Sequence, residues 1–162
     1  MSVLDDDSVV YVARVATSRI MTVSINVGTR FPAHATSMGR VLLAGLPDHD
    51  LDAYLARVKL APTTRRTITS PEQLRAAVER VRTQGWAIVD QELEDGLRAV
   101  AAPLHDRDGR VVAAMNISTH SSRMSLAQMR SDLLPALLAT AGRIEGDLAL
   151  AGGGRRGRAR GA

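Results

Sequence analysis

Apolar residues along this chain follow two different periods, first strand-like and then helical. Residues 9–15 (VVYVARV) are rich in β-branched side chains and read as a strand. Residues 20–27 read as its partner across a short link at 17–19. In that second run Met21, Val23, Ile25 and Val27 share one face and Thr22, Ser24 and Asn26 the other. This is the period of two expected of a strand with one polar face. Ahead of both, residues 2–4 form a short apolar start and residues 5–8 (DDDS) a turn.

The period then lengthens. Val41, Leu42 and Leu43 supply an apolar helical run behind a hydroxyl cap at Thr36 or Ser37. Pro47 opens a second helical segment through residue 58, and residues 59–69 read as a loop. Ser70-Pro71-Glu72-Gln73 is a helix start, with Ser70 as N-cap, Pro71 at the first position and Gln73 completing a capping box. Leu74, Val78 and Val81 follow at helical spacing, and Gly85 ends the run. Residues 86–90 read as a strand, 91–96 as an acidic connection and 97–105 as another strand. Asp108-Gly109 marks a hairpin turn over 106–110, so residues 111–119 return antiparallel. Ser125 caps a last helix, with Gln128 at the box position; it runs to about residue 150, with a kink expected at Pro135. The order β-β-α-α-α-β-β-β-α, with strands joined by hairpins, predicts an α+β domain: an antiparallel sheet with helices packed on it.

Composition narrows the classes. The 162 residues suit one domain with its own core, and 45% hydrophobic with 23% charged residues is the balance of a globular protein. One Trp, two Tyr and one Phe leave the core to Ala, Val, Leu, Ile and Met, and speak against a base-stacking nucleic-acid surface. The net charge of +4 equals the charge of Arg155, Arg156, Arg158 and Arg160, so the rest of the chain is neutral. Residues 1–150 are expected to form the domain and the Gly/Arg-rich residues 151–162 a disordered tail. Without cysteine there is no disulfide or thiol chemistry, as suits a cytoplasmic protein. Neither a signal pattern nor an apolar run of membrane-spanning length is present, so no membrane partner is expected.

Candidate chemistry gathers at residues 28–45 (GTRFPAHATSMGRVLLAG). A helix beginning here leaves the N–H groups of Ser37, Met38 and Gly39 without intrahelical partners, and such a terminus attracts a carboxylate. A plain capped helix fits the same residues. On the last strand Asn116, Ser118 and His120 share a face, which is either solvated or one wall of a pocket. Ala35-Thr36-Ser37-Met38-Gly39 has the A-x-S-x-G form of a hydrolase nucleophile elbow, with Asp90 or Asp95 and then His105 or His120 following in hydrolase order. An elbow needs a buried strand just before the serine, however, and Phe31-Pro-Ala-His34 stands there. The four histidines lack metal-ligand spacing and read as loop or surface residues, while Asp90, Glu92, Glu94 and Asp95 read as a solvated acidic run. No metal, cofactor or catalytic residue is expected.

Three segments together resemble the effector-binding domain of IclR-family bacterial transcription regulators. They are residues 28–44, residues 85–106 (GWAIVDQELEDGLRAVAAPLHD) and residues 111–118 (VVAAMNIS), in order and with compatible spacing. Residues 18–28 with 89–96 look most like the subgroup regulating β-ketoadipate and protocatechuate catabolism. The resemblance implies a GAF-like domain, a central antiparallel sheet flanked by helices, that binds a small catabolite without catalysis. It also implies an N-terminal winged helix-turn-helix domain, absent from this chain, as the part that meets DNA, and a homodimer or homotetramer. By motif position the effector contacts fall on Ser37 and Met38, on Leu97 and Ala99, and on Asn116 and Ser118. Val89 and Ala99 are less polar than the family pattern, which points away from small keto acids and toward a larger, partly apolar carboxylate, an aromatic acid or a dicarboxylate. The competing readings are a serine hydrolase built on Ser37 and a dimerisation module with a vestigial pocket.

Overall fold

The computed structural model describes residues 1–15 and 25–153. Ser2–Asp5 (β1) and Ser8–Tyr11 (β2) form an antiparallel hairpin. Its turn holds Asp6 at φ 54°, a left-handed conformation that aspartate tolerates better than most residues. The apolar start at residues 2–4 is therefore a strand, and the strand expected over 9–15 stops at Tyr11. Residues 20–24 of its expected partner lie outside the described residues; Ile25 and Asn26 belong to no strand. Instead Arg30–Pro32 (β3), expected as loop, pairs with β2. Three residues are too few to show a period, so no pattern announced it.

Three helices follow: Ser37–Ala44 (α1), Asp48–Arg57 (α2) and Pro71–Gln84 (α3). Ser70 caps α3 through the Gln73 N–H, and Gly85 closes it at φ 81°. The expected capping box is only half made: the Ser70 hydroxyl accepts from the Gln73 N–H at 3.3 Å, but no bond among the described residues runs from the Ser70 N–H to the Gln73 side chain. Ala87–Asp90 (β4), Leu97–His105 (β5) and Val111–His120 (β6) form an antiparallel meander. After a complete Ser125–Gln128 capping box, Leu126–Gln128 (α4) passes through a π-helical turn, Met129–Leu133, into Leu134–Gly153 (α5). The disturbance expected at Pro135 takes this form: the Leu134 N–H reaches back to the Met129 carbonyl, one residue further than in an α-helix, just before the proline that has no N–H to give.

The six strands lie in the order β3-β2-β1-β6-β5-β4, and every neighbouring pair is antiparallel. Apolar residues cover both faces of β5. Ala101 belongs to the layer under α1–α3, with Val9, Met38, Val41, Leu51, Tyr54, Leu74 and Val78. Val100, Ala102 and Leu104 belong to the layer under α5, with Met129, Leu134 and Leu137. Helices on both faces of one antiparallel sheet are the α+β arrangement expected from the element order.

Candidate functional site

The start of α1 is built by short-range bonds. Thr36, extended at φ −117° and ψ 147°, caps the helix: its Oγ1 accepts from the Gly39 N–H at 3.0 Å and donates to the Ala33 carbonyl at 3.3 Å. The Gly39 N–H is thus not free, contrary to the expectation. Ser37 and Met38, the first two residues of the helix, keep N–H groups that no bond among the described residues uses. A tight turn at Ala33–Ala35 holds this terminus against the sheet, and only glycine fits at 39, where a Cβ would lie 2.0 Å from the Ala33 carbonyl oxygen.

Facing it are two cross-strand rows. Val89, Ala99 and Ser118 pair across β4, β5 and β6; Ala87, Ala101 and Asn116 form the adjacent row. Ala99, in the middle of the first row, lines the space above the sheet, while Ala101 in the second is packed in the core. The result is a cleft that gathers all six residues singled out above: Ser37, Met38, Leu97, Ala99, Asn116 and Ser118. From the polar strand face, Asn116 and Ser118 line this cleft. The cleft is narrow, with a cavity volume of about 20 Å³, little more than room for one water. At its sheet end the Asn116 Nδ2 donates to Ser118 Oγ at 2.9 Å. Met38, 1% exposed, accepts from the buried Ser2 hydroxyl through its sulfur.

Five further lining residues were not among the expected contacts: Ala35, Thr36 and Val89, which the sequence reading named for other reasons, and Tyr11 and Leu93, which it did not connect to the site. Tyr11 ends β2 on the same face as the fully buried Val9, an alternation visible in the sequence; burial pushes its hydroxyl pKa up, against the opposing charge of Arg14. Leu93 is the lone apolar residue of an acidic run, a signal that was available. His120 does not line the cleft; its Nδ1 lies 2.8 Å from Ser122 Oγ. Thr22 and Ser24 lie outside the described residues.

The acidic connection is not simply solvated. Glu92 is buried and ion-paired with the equally buried Arg40 of α1. Its backbone carbonyl accepts from the hydroxyls of Thr63 at 2.5 Å and Thr67 at 2.6 Å, so the loop after α2 straps it down. Asp90 accepts from Arg66 and, at 2.5 Å, from Arg98. Partial burial, the largest influence on Asp90, raises its pKa, yet bonds from Arg98 and Gln91 and the charges of Arg98 and Arg66 hold it below the ordinary value. His34 also departs from the surface reading: it is 2% exposed, with Nε2 at 3.2 Å from the Ala61 carbonyl.

The elbow reading has no geometric support. A turn, not a strand, precedes Ser37, and the bonds of the described residues take His34 to Ala61, His105 to Glu145 and His120 to Ser122. No group of three or more potential ligands among the described residues could hold a metal ion, and no described helix is long and apolar enough to cross a membrane.

An antiparallel sheet between helical layers, with a narrow cleft under a helix start, is the architecture of a regulatory domain. The family model for the C-terminal part of the bacterial transcriptional regulator IclR matches residues 1–145, and the chain belongs to that family. It is 48% identical over 140 residues to the Pca regulon regulatory protein of Pseudomonas putida, covering 86% of this chain and 48% of that protein. Among solved structures, one described as a candidate transcriptional regulator of Rhodococcus sp. RHA1 is 57% identical with a TM-score of 0.89, over 93% of this chain and 61% of that one. A double mutant of the PobR inducer-binding domain from Acinetobacter, in complex with 3-hydroxybenzoic acid, is 31% identical with a TM-score of 0.81, over 89% and 85% of the two chains. The chain spans about half the length of the curated relatives it matches. These relatives are transcriptional regulators and not enzymes.

Proposed function

We propose that the chain is the effector-sensing part of an IclR-type transcriptional regulator of aromatic-compound catabolism, in the β-ketoadipate pathway, and that its cleft binds a small carboxylate catabolite. The observation that carries this reading is the convergence of six residues from three separate segments on one cleft, two of them, Ser37 and Met38, with N–H groups that no bond among the described residues uses. The carboxylate sits at the N–H groups of Ser37 and Met38, while Leu97 and Ala99 form the apolar floor and Asn116 and Ser118 hold the distal polar end. The PobR inducer-binding domain, solved with a hydroxybenzoic acid, supports an aromatic acid as the class. Binding favours one of two conformations and so biases the assembly of the whole regulator. That assembly is proposed from the family resemblance: a cytoplasmic homodimer or homotetramer that meets DNA through an N-terminal winged helix-turn-helix domain.

Titration calorimetry with protocatechuate, 4-hydroxybenzoate and β-ketoadipate tests it, alongside Ser37→Pro. Proline is tolerated at a first helical position, and the extended Thr36 before it is compatible, so the variant removes one N–H with little else changed. At least one acid is expected to bind, about tenfold weaker in Ser37→Pro. Binding that ignores the substitution would remove the helix terminus from the site. No binding by any acid would favour a dimerisation module with a vestigial cleft, a reading to which the small free volume lends weight.

A further inference from the structure

We infer that Tyr11 is a further effector contact, its phenolic hydroxyl donating a hydrogen bond to an acceptor oxygen of the bound acid. This inference rests on the effector-binding reading above and adds a residue of β2 to the six already named. It starts from a polar group without a bond. Tyr11 lines the cleft and is only 9% exposed, yet its hydroxyl bonds to no described residue. Other polar groups of the cleft are committed within the chain. Thr36 Oγ1 serves the Gly39 N–H and the Ala33 carbonyl, and Ser118 Oγ accepts from Asn116. Taking a hydroxyl out of water without a partner is costly, so the Tyr11 hydroxyl is fitted to a partner that comes from outside the chain.

The ring is held in place by contacts that do not involve the hydroxyl. The Tyr11 N–H donates to the Thr29 carbonyl at 3.0 Å, and the Tyr11 carbonyl accepts from the Gly28 N–H at 2.8 Å, which fixes the backbone on that edge. Phe31 meets the ring in a T-shaped contact, with centroids 6.0 Å apart and planes at 79°. Ser2, directly opposite on β1, shares the face of Tyr11, and its hydroxyl bonds to the Met38 sulfur. The tyrosine therefore stands on the α1 side of the sheet, where the cleft lies. Burial raises the pKa of the hydroxyl, with the charge of Arg14 opposing, so the group stays a neutral donor at neutral pH. A carboxylate only accepts, and such a donor complements it.

Titration calorimetry of Tyr11→Phe with protocatechuate, 4-hydroxybenzoate and β-ketoadipate, alongside thermal melts, decides it. Phenylalanine keeps the ring and its contact with Phe31 and removes the hydroxyl alone. The acid that binds the parent best is expected to bind about tenfold or more weakly to the variant. The melting temperature is expected to equal the parent's or to exceed it, because no bond within the chain is lost. Equal affinity of parent and variant for every acid that binds overturns the inference and leaves the sensor reading standing. A loss of affinity together with a melting temperature lower by several degrees also overturns it, since the hydroxyl would then serve the fold. If none of the three acids binds the parent, the sensor reading itself falls, and the inference with it.

Discussion

The guanidinium of Arg40 and the carboxylate of Glu92 meet in the interior, their side chains 7% and 11% exposed. Arg40 lies one turn beyond Ser37 on α1, and Glu92 immediately precedes the cleft residue Leu93. The pair therefore ties the helix that presents the free N–H groups to the connection that forms the facing wall. Removing one member leaves an uncompensated buried charge, so Glu92→Gln or Arg40→Ala is expected to cost about 3–5 kcal/mol of stability. Replacing both, as Arg40→Met with Glu92→Leu, is expected to cost far less. Urea unfolding of the three variants checks this, and additive losses would show that the residues act independently.

Gly39 packs directly on the carbonyl that begins the turn before it. Since a Cβ there would overlap backbone rather than a yielding side chain, Gly39→Ala must displace either the turn or the helix. A loss of about 2–3 kcal/mol or more is expected in denaturant unfolding. An unchanged midpoint would mean that the close approach is not maintained in solution.

Effector binding should be sensitive to bulk at Ala99. This side chain lines the cleft and is nearly buried, and the space beside it is small. Ala99→Leu would place three more carbons in that space. Loss of acid binding by at least about tenfold is expected, alongside an overpacking cost of about 1–3 kcal/mol in stability. Calorimetry and thermal melts read the two effects independently; unimpaired binding would move the site elsewhere.

His34 confers a pH dependence on folding. Burial, the largest influence, lowers its pKa from the ordinary 6.5; Arg40 adds to this, and the Ala61 bond with Glu92 and Asp7 opposes it. Above about 6.5 His34 is neutral whether the chain is folded or not, and it contributes nothing to pH dependence. Below that value the unfolded chain takes up a proton that the folded chain refuses, so stability falls as pH falls, until the folded His34 itself titrates. His34→Gln keeps a donor for the Ala61 carbonyl and should flatten this part of the profile. Urea midpoints between about pH 7.5 and 5 check it, and equal slopes for the two proteins would assign the acid sensitivity to other groups.

Much of the fold was legible because local rules carried it. Ser70 and Gly85 bracket α3, Ser125 and Gln128 start the last helix, and Asp108-Gly109 turns β5 into β6, each through bonds made within a few residues. The site residues became legible only through the family resemblance; the helix start and the polar strand face each fitted a bland reading when taken alone. Strands β1 and β3 were missed because four- and three-residue segments are too short to display a period. They are strands because the hairpin and sheet give their backbone groups partners.

The sequence by itself determined the α+β class, the helix caps, the alternation that puts Asn116 and Ser118 on one face, and the resemblance that singled out six residues. Those are properties of spacing and side-chain chemistry over short distances. Only the tertiary structure decided that the acidic run turns inward at Glu92 to meet Arg40, that His34 is buried, that Thr36 consumes the Gly39 N–H, and that Tyr11 and Leu93 help to close the cleft. In each case except the Thr36 cap, the partners lie far apart in the chain. Whether a charge is solvated or paired, and which backbone donors stay free, depends on what packs against it, and no window of sequence contains both sides of such a contact.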